Sequence, residues 1–271
     1  MKLDIHISSQ TYQIETEHPI DISIPLNFHG EQPNAYGVPH ATAKAYDGED
    51  FIGDTRKGGS CNFEEYKLIP HCNGTHTECI GHLAFERISI HSVLQNGLMP
   101  ATLITIEPMD AFDSEDSCRH KKNKEDKIIT RDGLTKAIGD RSKEFLEGLI
   151  VRTLPNDDSK MSRQYLQEPP SYFSIEAMQL IVDLGVEHLL VDMPSVDRPF
   201  DDGKMTAHHI FWNVPEESHE VDPKNHSMRT ITEMIYVANE VEDGQYFLNL
   251  QIPNFVADAA PSRPVLYQIE E

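Results

Sequence analysis

The chain has 271 residues, 38% of them hydrophobic, which is long enough to bury a sizeable core. Lys and Arg together number 23, against 45 Asp and Glu, so the formal net charge at pH 7 is −22. A surface this acidic repels phosphate backbones, and the basic run at residues 119–124 is flanked by acidic residues typical of a solvated loop. We therefore expect no nucleic-acid partner.

The sequence also lacks the signals of membrane insertion and secretion. No stretch approaches the roughly 20 consecutive apolar residues that a membrane helix requires. Residues 1–6 include an acidic residue and have none of the apolar character of a secretory signal. The four cysteines are too few and too irregularly spaced for a disulfide framework. These features predict a cytoplasmic protein with free thiols and no membrane partner.

Hydrophobic periodicity predicts alternating strands and helices. Strands are predicted at residues 3–7, 20–26, 61–69, 101–106, 149–154, 188–192, 231–237, 245–252 and 265–269. Helices are predicted over residues 89–98, from a cap at Thr130 or Asp132 to Ile138, and from the cap Ser174 to Gly185. Single strands spaced by helices are typical of α/β folds. With no repeat or boundary in the sequence, we predict one mixed-sheet α/β domain over residues 1–271.

Side chains that bind metals are concentrated between His71 and His82. Residues two apart in an extended chain share a face, so His76 and Glu78 can reach one cation. Cys72 and His82 fall on the same parity. Imidazole, thiolate and carboxylate are ligands that Zn²⁺ and similar ions favour. The segment therefore predicts a metal site, the alternative being a loop of hydrogen-bonded polar residues.

Residues 74–82 read G-T-H-x-E-x-x-x-H and resemble the G-T-H-x-D-x-P-x-H signature of the cyclase family, which includes bacterial kynurenine formamidases and isatin hydrolases. Residues 191–197 resemble the family's D-x-P-S-x-D stretch, and residues 207–208 its A-H segment. Glu233 resembles the glutamate of a later strand. The similarity extends over residues 20–268.

The resemblance implies the swivelling β/α/β fold of the family. It also implies a metal-dependent amidohydrolase that cleaves the C–N bond of a formamide or cyclic amide, such as N-formylkynurenine or isatin. His76, Glu78, His208 and Glu233 would hold one or two divalent ions per chain, Zn or Mn. His82 would be the general acid/base while metal-activated water attacks the carbonyl.

Three positions depart from the family pattern. Cys72 stands where the family has a histidine and His71 is displaced by one residue, so either is a candidate ligand. Glu78 replaces an aspartate and Ile80 replaces a proline. Two further interpretations therefore stay open: a catalytically diverged relative that binds a metal or ligand, and a metal-dependent dehydratase or lyase.

Aromatic residues are candidates for contact with a small-molecule substrate. The resemblance places Phe28 and Tyr36 in a substrate-contacting loop. Trp212 is a candidate for an aryl pocket beside His208, with burial in the core as the alternative. His209 is predicted to be a neighbour of the site and not a ligand. The resemblance further implies a homodimer or homotetramer.

Overall fold

The computed structural model describes residues 1–270. The helices are α1 (Pro70–Asn73), α2 (Ile90–Val93), α3 (Arg131–Ile138), α4 (Ile175–Asp183) and α5 (Thr206–Trp212). The strands are β1 (Lys2–Ile7), β2 (Gln10–Glu15), β3 (Ile20–Asp21), β4 (Thr42–Ala45), β5 (Glu64–Lys67), β6 (His76–Cys79), β7 (Leu98–Ile106), β8 (Met109–Asp110), β9 (Lys127–Ile129), β10 (Gly148–Thr153), β11 (Tyr172–Phe173), β12 (His188–Val191), β13 (Thr230–Glu233), β14 (Gly244–Asn249), β15 (Ala259–Pro261) and β16 (Val265–Glu270).

One mixed sheet of 11 strands dominates the structure. Its order is β1-β2-β16-β14-β7-β10-β12-β13-β6-β15, with β3 paired to β16. Strands β7, β10, β12 and β13 run parallel, while β14 and β6 join them on either side in antiparallel orientation. The mixed α/β fold predicted from the sequence is confirmed. The single domain over residues 1–271 stays a prediction, and Glu271 lies outside the described residues.

The central strands are buried on both faces, which explains their nearly continuous apolar sequences. In β10, Leu149 and Val151 face the core formed with α3 and α4. Ile150 faces the opposite core, with Leu103 and Leu248. Helices and strands thus cover the two faces of the parallel region, and the carboxyl ends of its strands remain open for a functional site. No helix within residues 1–270 combines the length and apolar character needed to cross a bilayer.

Predicted elements with strong end signals form as expected. Ser174 caps α4 by accepting the Ala177 N–H at 3.0 Å, and Gly185 follows the helix with φ of 80°. Other elements are shorter than predicted. The strand predicted over residues 231–237 ends at Glu233, because Met234 takes a left-handed backbone conformation with φ of 53° that does not continue an extended ladder.

A buried ion pair fixes the carboxyl end of β12. Asp192 Oδ2 lies 2.7 Å from Lys160 Nζ, and both side chains are buried. Asp192 also accepts hydrogen bonds from the Thr153 N–H at 2.7 Å and the Thr153 hydroxyl at 2.8 Å. The ammonium of Lys160 further donates to Asn156 Oδ1 at 3.2 Å. Because the chain continues from Asp192 into the loop that holds Asp197, this pair anchors one end of that loop.

We expect Lys160→Met to lower the free energy of unfolding by about 3 to 5 kcal/mol, because it leaves the Asp192 carboxylate buried without its cation. The measurement is urea denaturation at pH 7. Lys127→Met is the matched control, since Lys127 pairs with Asp110 at 2.7 Å but both side chains are half-exposed. This control should cost less than about 1 kcal/mol. Equal losses in the two variants would contradict the anchoring role of the buried pair.

Candidate metal centre

The motif residues enter the site through β6, which is buried along its whole length. In the antiparallel pairing of β6 with β13, His76 lies opposite Glu233. On the other face of the same two strands, the hydroxyls of Thr77 and Thr232 are 2.8 Å apart. Because side chains alternate along a strand, His76 and Glu78 project to one side together. The sequence argument for this pair therefore agrees with the strand geometry.

Strand parity does not describe Cys72 and His82, because neither residue lies in a strand. Cys72 lies in the short helix α1, and His82 lies in a single 3-10 turn after β6. The helical turn brings His71 towards the site, with its Nε2 3.5 Å from Glu78 Oε2 and its ring stacked on that of His82 at 4.5 Å between centroids. Cys72 borders the same cavity, where burial raises the pKa of its thiol to about 11. His71 is thus the residue of this pair that contacts Glu78.

His208 reaches the site from α5. The Asp197 carboxylate accepts the backbone N–H groups of Ala207 at 2.7 Å and His208 at 3.1 Å, and lies 2.6 Å from His208 Nδ1. The other ring nitrogen, Nε2, faces Glu78 Oε1 at 2.9 Å. A carboxylate on one imidazole nitrogen, with the second left for a ligand, is how proteins commonly orient metal-binding histidines. Asp197, the last residue of the stretch that resembles the family's D-x-P-S-x-D pattern, thus orients this ring.

His76 has a ring nitrogen without a hydrogen-bond partner. Its Nδ1 lies 3.0 Å from the Gly74 carbonyl oxygen, whereas Nε2 is buried and unpaired, 3.4 Å from Glu233 Oε2. Glu233 Oε1 accepts the Val196 N–H at 3.0 Å. The Nε2 of His71 is likewise buried without a hydrogen bond. Unsatisfied buried nitrogens are costly, and a metal ion is a partner that satisfies an imidazole lone pair.

Ligand atoms converge in three overlapping groups, within each of which they lie no more than 4.8 Å apart. The groups are His76, Glu78 and Glu233; Glu78, His82 and His208; and His71, His82 and Asp258. Glu78 belongs to two groups, and so does His82. Each group supplies imidazole nitrogen and carboxylate oxygen, a combination that suits Zn²⁺ or Mn²⁺. The residues present therefore fit one or two divalent cations.

Asp258 is the member of this cluster that the sequence did not reveal. Its Oδ2 lies 3.2 Å from His71 Nε2 and 3.3 Å from His82 Nδ1. The neighbouring imidazoles of His71 and His82 hold the pKa of Asp258 well below its ordinary value. The residue arrives through β15, in which Ala259 pairs with Glu78. In the sequence, Asp258 is only an acidic residue directly before a short strand. It can be assigned to the site only when the pairing of that strand with β6 is known.

Charge compensation keeps the buried groups ionised. Burial alone would raise the pKa of Glu78, but the facing rings of His82, His208 and His71 outweigh it and hold that pKa well below its ordinary value. Burial alone would lower the pKa of His208, but its hydrogen bonds with Asp197 and Glu78 raise the pKa well above 6.5. A divalent cation would take the place of the imidazole protons, so its binding should release protons.

A cavity of about 460 Å³ opens over the cluster. Its walls include His71, Cys72, Glu78, His82, His208 and Glu233. Exposed aromatic rings stand at its edge, where Tyr36 and Phe200 meet edge to face with centroids 5.8 Å apart. Tyr36 therefore lines the cavity beside the cluster, and its contact with substrate stays a prediction.

A model of the family described as "Cyclase" matches residues 18–198 of this sequence. The chain belongs to the cyclase family. This confirms the resemblance drawn from the motifs. A search of curated proteins finds no match to the sequence.

Solved structures with the same fold include several hydrolases by name. A predicted metal-dependent hydrolase from Bacillus stearothermophilus superposes with a TM-score of 0.56 at 15% identity, covering 92% of this chain and 98% of that one. Isatin hydrolase A from Labrenzia aggregata, bound to benzyl benzoate, superposes with a TM-score of 0.60 at 12% identity. The match covers 93% of this chain and 94% of that one. Isatin hydrolase A from Ralstonia solanacearum superposes with a TM-score of 0.57 at 14% identity, and the match covers 92% of this chain and 91% of that one. At these identities the similarity establishes the fold of this cyclase-family chain.

Two aromatic residues expected at the substrate pocket lie elsewhere in this cyclase-family structure. Phe28 packs on Tyr66, with ring centroids 4.9 Å apart, and does not line the cavity. Trp212 is buried behind His208, 5.3 Å between centroids, and its indole N–H donates to the Arg229 carbonyl at 2.9 Å. Packing within the chain occupies both rings, so Trp212 takes the alternative of burial in the core, and the substrate contact of Phe28 stays a prediction.

His209 points away from the cluster. It is buried on α5, and its Nδ1 lies 3.3 Å from the Val214 carbonyl oxygen. It borders a separate cavity with Arg119 and His219. Successive residues of a helix point about 100° apart, so His208 and its neighbour cannot face the same ion. Its position is that of a neighbour to the site.

We expect Asp197→Asn to weaken divalent-metal binding by about 10- to 100-fold, because the amide no longer holds His208 with a charged hydrogen bond. Competition with a chromophoric chelator measures the affinity, and urea denaturation measures any accompanying loss of stability. Asp202→Asn, at an exposed position of the next turn, is the control and should bind metal as the unmodified protein does. Equal metal affinity in the two variants would rule out this orienting role.

Proposed function

We propose that this chain is a metal-dependent amidohydrolase that cleaves the C–N bond of a formamide or cyclic amide. The observation that carries the proposal is the convergence of His76, Glu78, His208 and Glu233 from three separate elements beneath an open cavity. Membership of the cyclase family supports it, as does the likeness in fold to proteins named as isatin hydrolases.

The proposed metal ligands come from the buried part of the cluster. His76, Glu78, Glu233 and His208 would hold one or two ions, Zn or Mn, and His71 is better placed than Cys72 to join them. A bound divalent cation supplies Lewis acidity towards the amide carbonyl and a water of lowered pKa.

His82 is proposed as the general acid/base. Its side chain is 28% exposed at the cavity, whereas those of His76 and His208 are buried. Asp258 faces its Nδ1 at 3.3 Å, and Glu78 Oε2 lies 3.8 Å from its Nε2. With Nδ1–H donated to Asp258, Nε2 of His82 is left to accept a proton from water and return it to the leaving nitrogen.

The cavity edge supports a substrate with an aromatic ring. Tyr36 and Phe200 present exposed rings in an edge-to-face arrangement that can accommodate a third ring. Ser195 lines the same cavity as these two rings. An aryl formamide or a fused cyclic amide carries both the aromatic ring that suits these side chains and the amide bond that the proposed reaction cleaves. The homodimer or homotetramer and the cytoplasmic location stay predictions from the sequence.

We expect elemental analysis of protein reconstituted with Zn²⁺ or Mn²⁺ to find one or two ions per chain, and His208→Ala to lose them, because ring Nε2 faces the shared ligand Glu78. His209→Ala is the matched control on the same helix and should retain the metal. An unmodified protein that takes up no metal would contradict the proposal and favour the interpretation as a diverged ligand-binding relative.

We expect His82→Gln to lower kcat for formanilide or N-formylkynurenine by about 10²- to 10⁴-fold while the metal content is kept, because the proton shuttle is removed. His91→Gln, at an exposed position outside the cavity, should leave kcat unchanged. Chromatography of the products separates hydrolysis from elimination. Loss of metal together with activity would instead make His82 a ligand, and an elimination product would favour the lyase interpretation.

A further inference from the structure

Arg198 is the one lysine or arginine that lines the cavity within residues 1–270. It follows Asp197 directly in the loop between β12 and α5. Its side chain is only 19% exposed, in a protein whose net charge is −22. The metal ligands alone do not account for a largely buried guanidinium at this position, so its other contacts decide what it does.

One end of the guanidinium is fixed by Asp126. The Nε–H of Arg198 donates to both oxygens of that carboxylate, at 3.1 and 3.2 Å. Asp126 is itself held, because it accepts the Tyr172 hydroxyl at 3.2 Å and the Asn123 N–H at 2.8 Å. The two terminal nitrogens of Arg198 donate to no protein group among residues 1–270. The group is therefore oriented at Nε, and the N–H donors of its fork stay available.

Neighbouring carboxylates of the cavity do not use these donors. Asp197 is committed to the start of α5 and to the ring of His208. Asp201 accepts the backbone N–H groups of Gly203 at 2.9 Å and Met205 at 2.7 Å. Of the carboxylates in the described chain, Asp126 alone comes within 4.0 Å of the Arg198 guanidinium nitrogens.

We propose that Arg198 selects amides that also carry a free carboxylate, which it binds through its terminal nitrogens. A guanidinium and a carboxylate form paired, charge-assisted hydrogen bonds, and a guanidinium oriented in advance loses little entropy in forming them. The alternative, a purely structural Arg198 that ties its loop to Asp126, uses only Nε and leaves the terminal N–H donors of this cavity-lining residue unused. This inference rests on the proposed amidohydrolase function and narrows its substrate to acidic amides.

The test compares formanilide with 3- and 4-formamidobenzoate, which undergo the same deformylation and differ by one carboxylate. The ratio of kcat/KM for the acidic over the neutral compound is measured within each variant, so that general losses of activity cancel. Arg198→Gln should lower this ratio by about 10- to 100-fold for at least one isomer, chiefly through KM. Arg198→Lys should recover part of it, because a point charge replaces the fork.

Lys204→Gln is the matched control. The substitution removes one positive charge from the same loop, at a residue that does not line the cavity, and its ratio should match that of the unmodified protein. If Arg198→Gln keeps the ratio while formanilide is still hydrolysed, the selection by Arg198 is overturned and the hydrolase proposal stands. An equal fall in the Lys204→Gln ratio would also overturn it, because the effect would then be that of net charge.

Binding measurements separate failure of the inference from failure of the proposed function. Isothermal titration calorimetry with 4-formamidobenzoate needs no turnover, and Arg198→Gln should weaken its binding by the same factor as the ratio. If the unmodified protein hydrolyses none of the compounds but shows this loss, the hydrolase proposal fails and carboxylate recognition holds. If neither hydrolysis nor binding dependent on Arg198 is observed, both are wrong.

Discussion

The register between β6 and β13 is the constraint on which the site depends. The parallel strands β10, β12 and β13 set the direction of the sheet, and β6 pairs with β13 in antiparallel orientation. That register sets His76 opposite Glu233 on one face and places the Thr77–Thr232 hydroxyl contact on the other. Because strand side chains alternate, a slip of one residue would turn His76 and Glu78 away from the cluster. The metal centre is therefore a consequence of strand pairing in the core as much as of the motif.

The loop from β12 to α5 contains both residues that fix its conformation and residues of the candidate site. At its start Asp192 is held by the buried ammonium of Lys160, and near its end Asp201 accepts three successive backbone N–H groups. Between these fixed points stand Asp197, which orients His208, and Arg198, which lines the cavity. Ligand orientation and the proposed substrate recognition thus depend on one short segment. A change in its conformation would alter both together, which makes the loop the place where specificity and metal binding are coupled.

Local signals predicted part of this structure, and long-range pairing decided the rest. Helix α4 is specified by its cap Ser174 and its terminal Gly185, and the shared face of His76 and Glu78 follows from strand parity alone. Asp258 is different, because it is delivered by the pairing of β15 with β6 and has no neighbouring ligand in sequence. The burial of Trp212 behind the site likewise depends on a hydrogen bond and packing that no local pattern encodes. The motif and the family resemblance therefore pointed to His208 and Glu233 as well as to the central segment, whereas Asp258 was missed because only the pairing of distant strands delivers it.

The departures from the family motif compensate one another in the structure, which favours a retained metal site over a dismantled one. The residues around Cys72 form a helical turn, where a shift of one position rotates a side chain by about 100° and not by the 180° of a strand. His71 can therefore reach the cluster from one residue earlier, while Cys72 stays at the cavity wall. Glu78, longer than aspartate by one methylene, meets His208 through one oxygen and faces His71 through the other. The displaced histidine and the longer acid thus contact each other, and both remain available to the same ion.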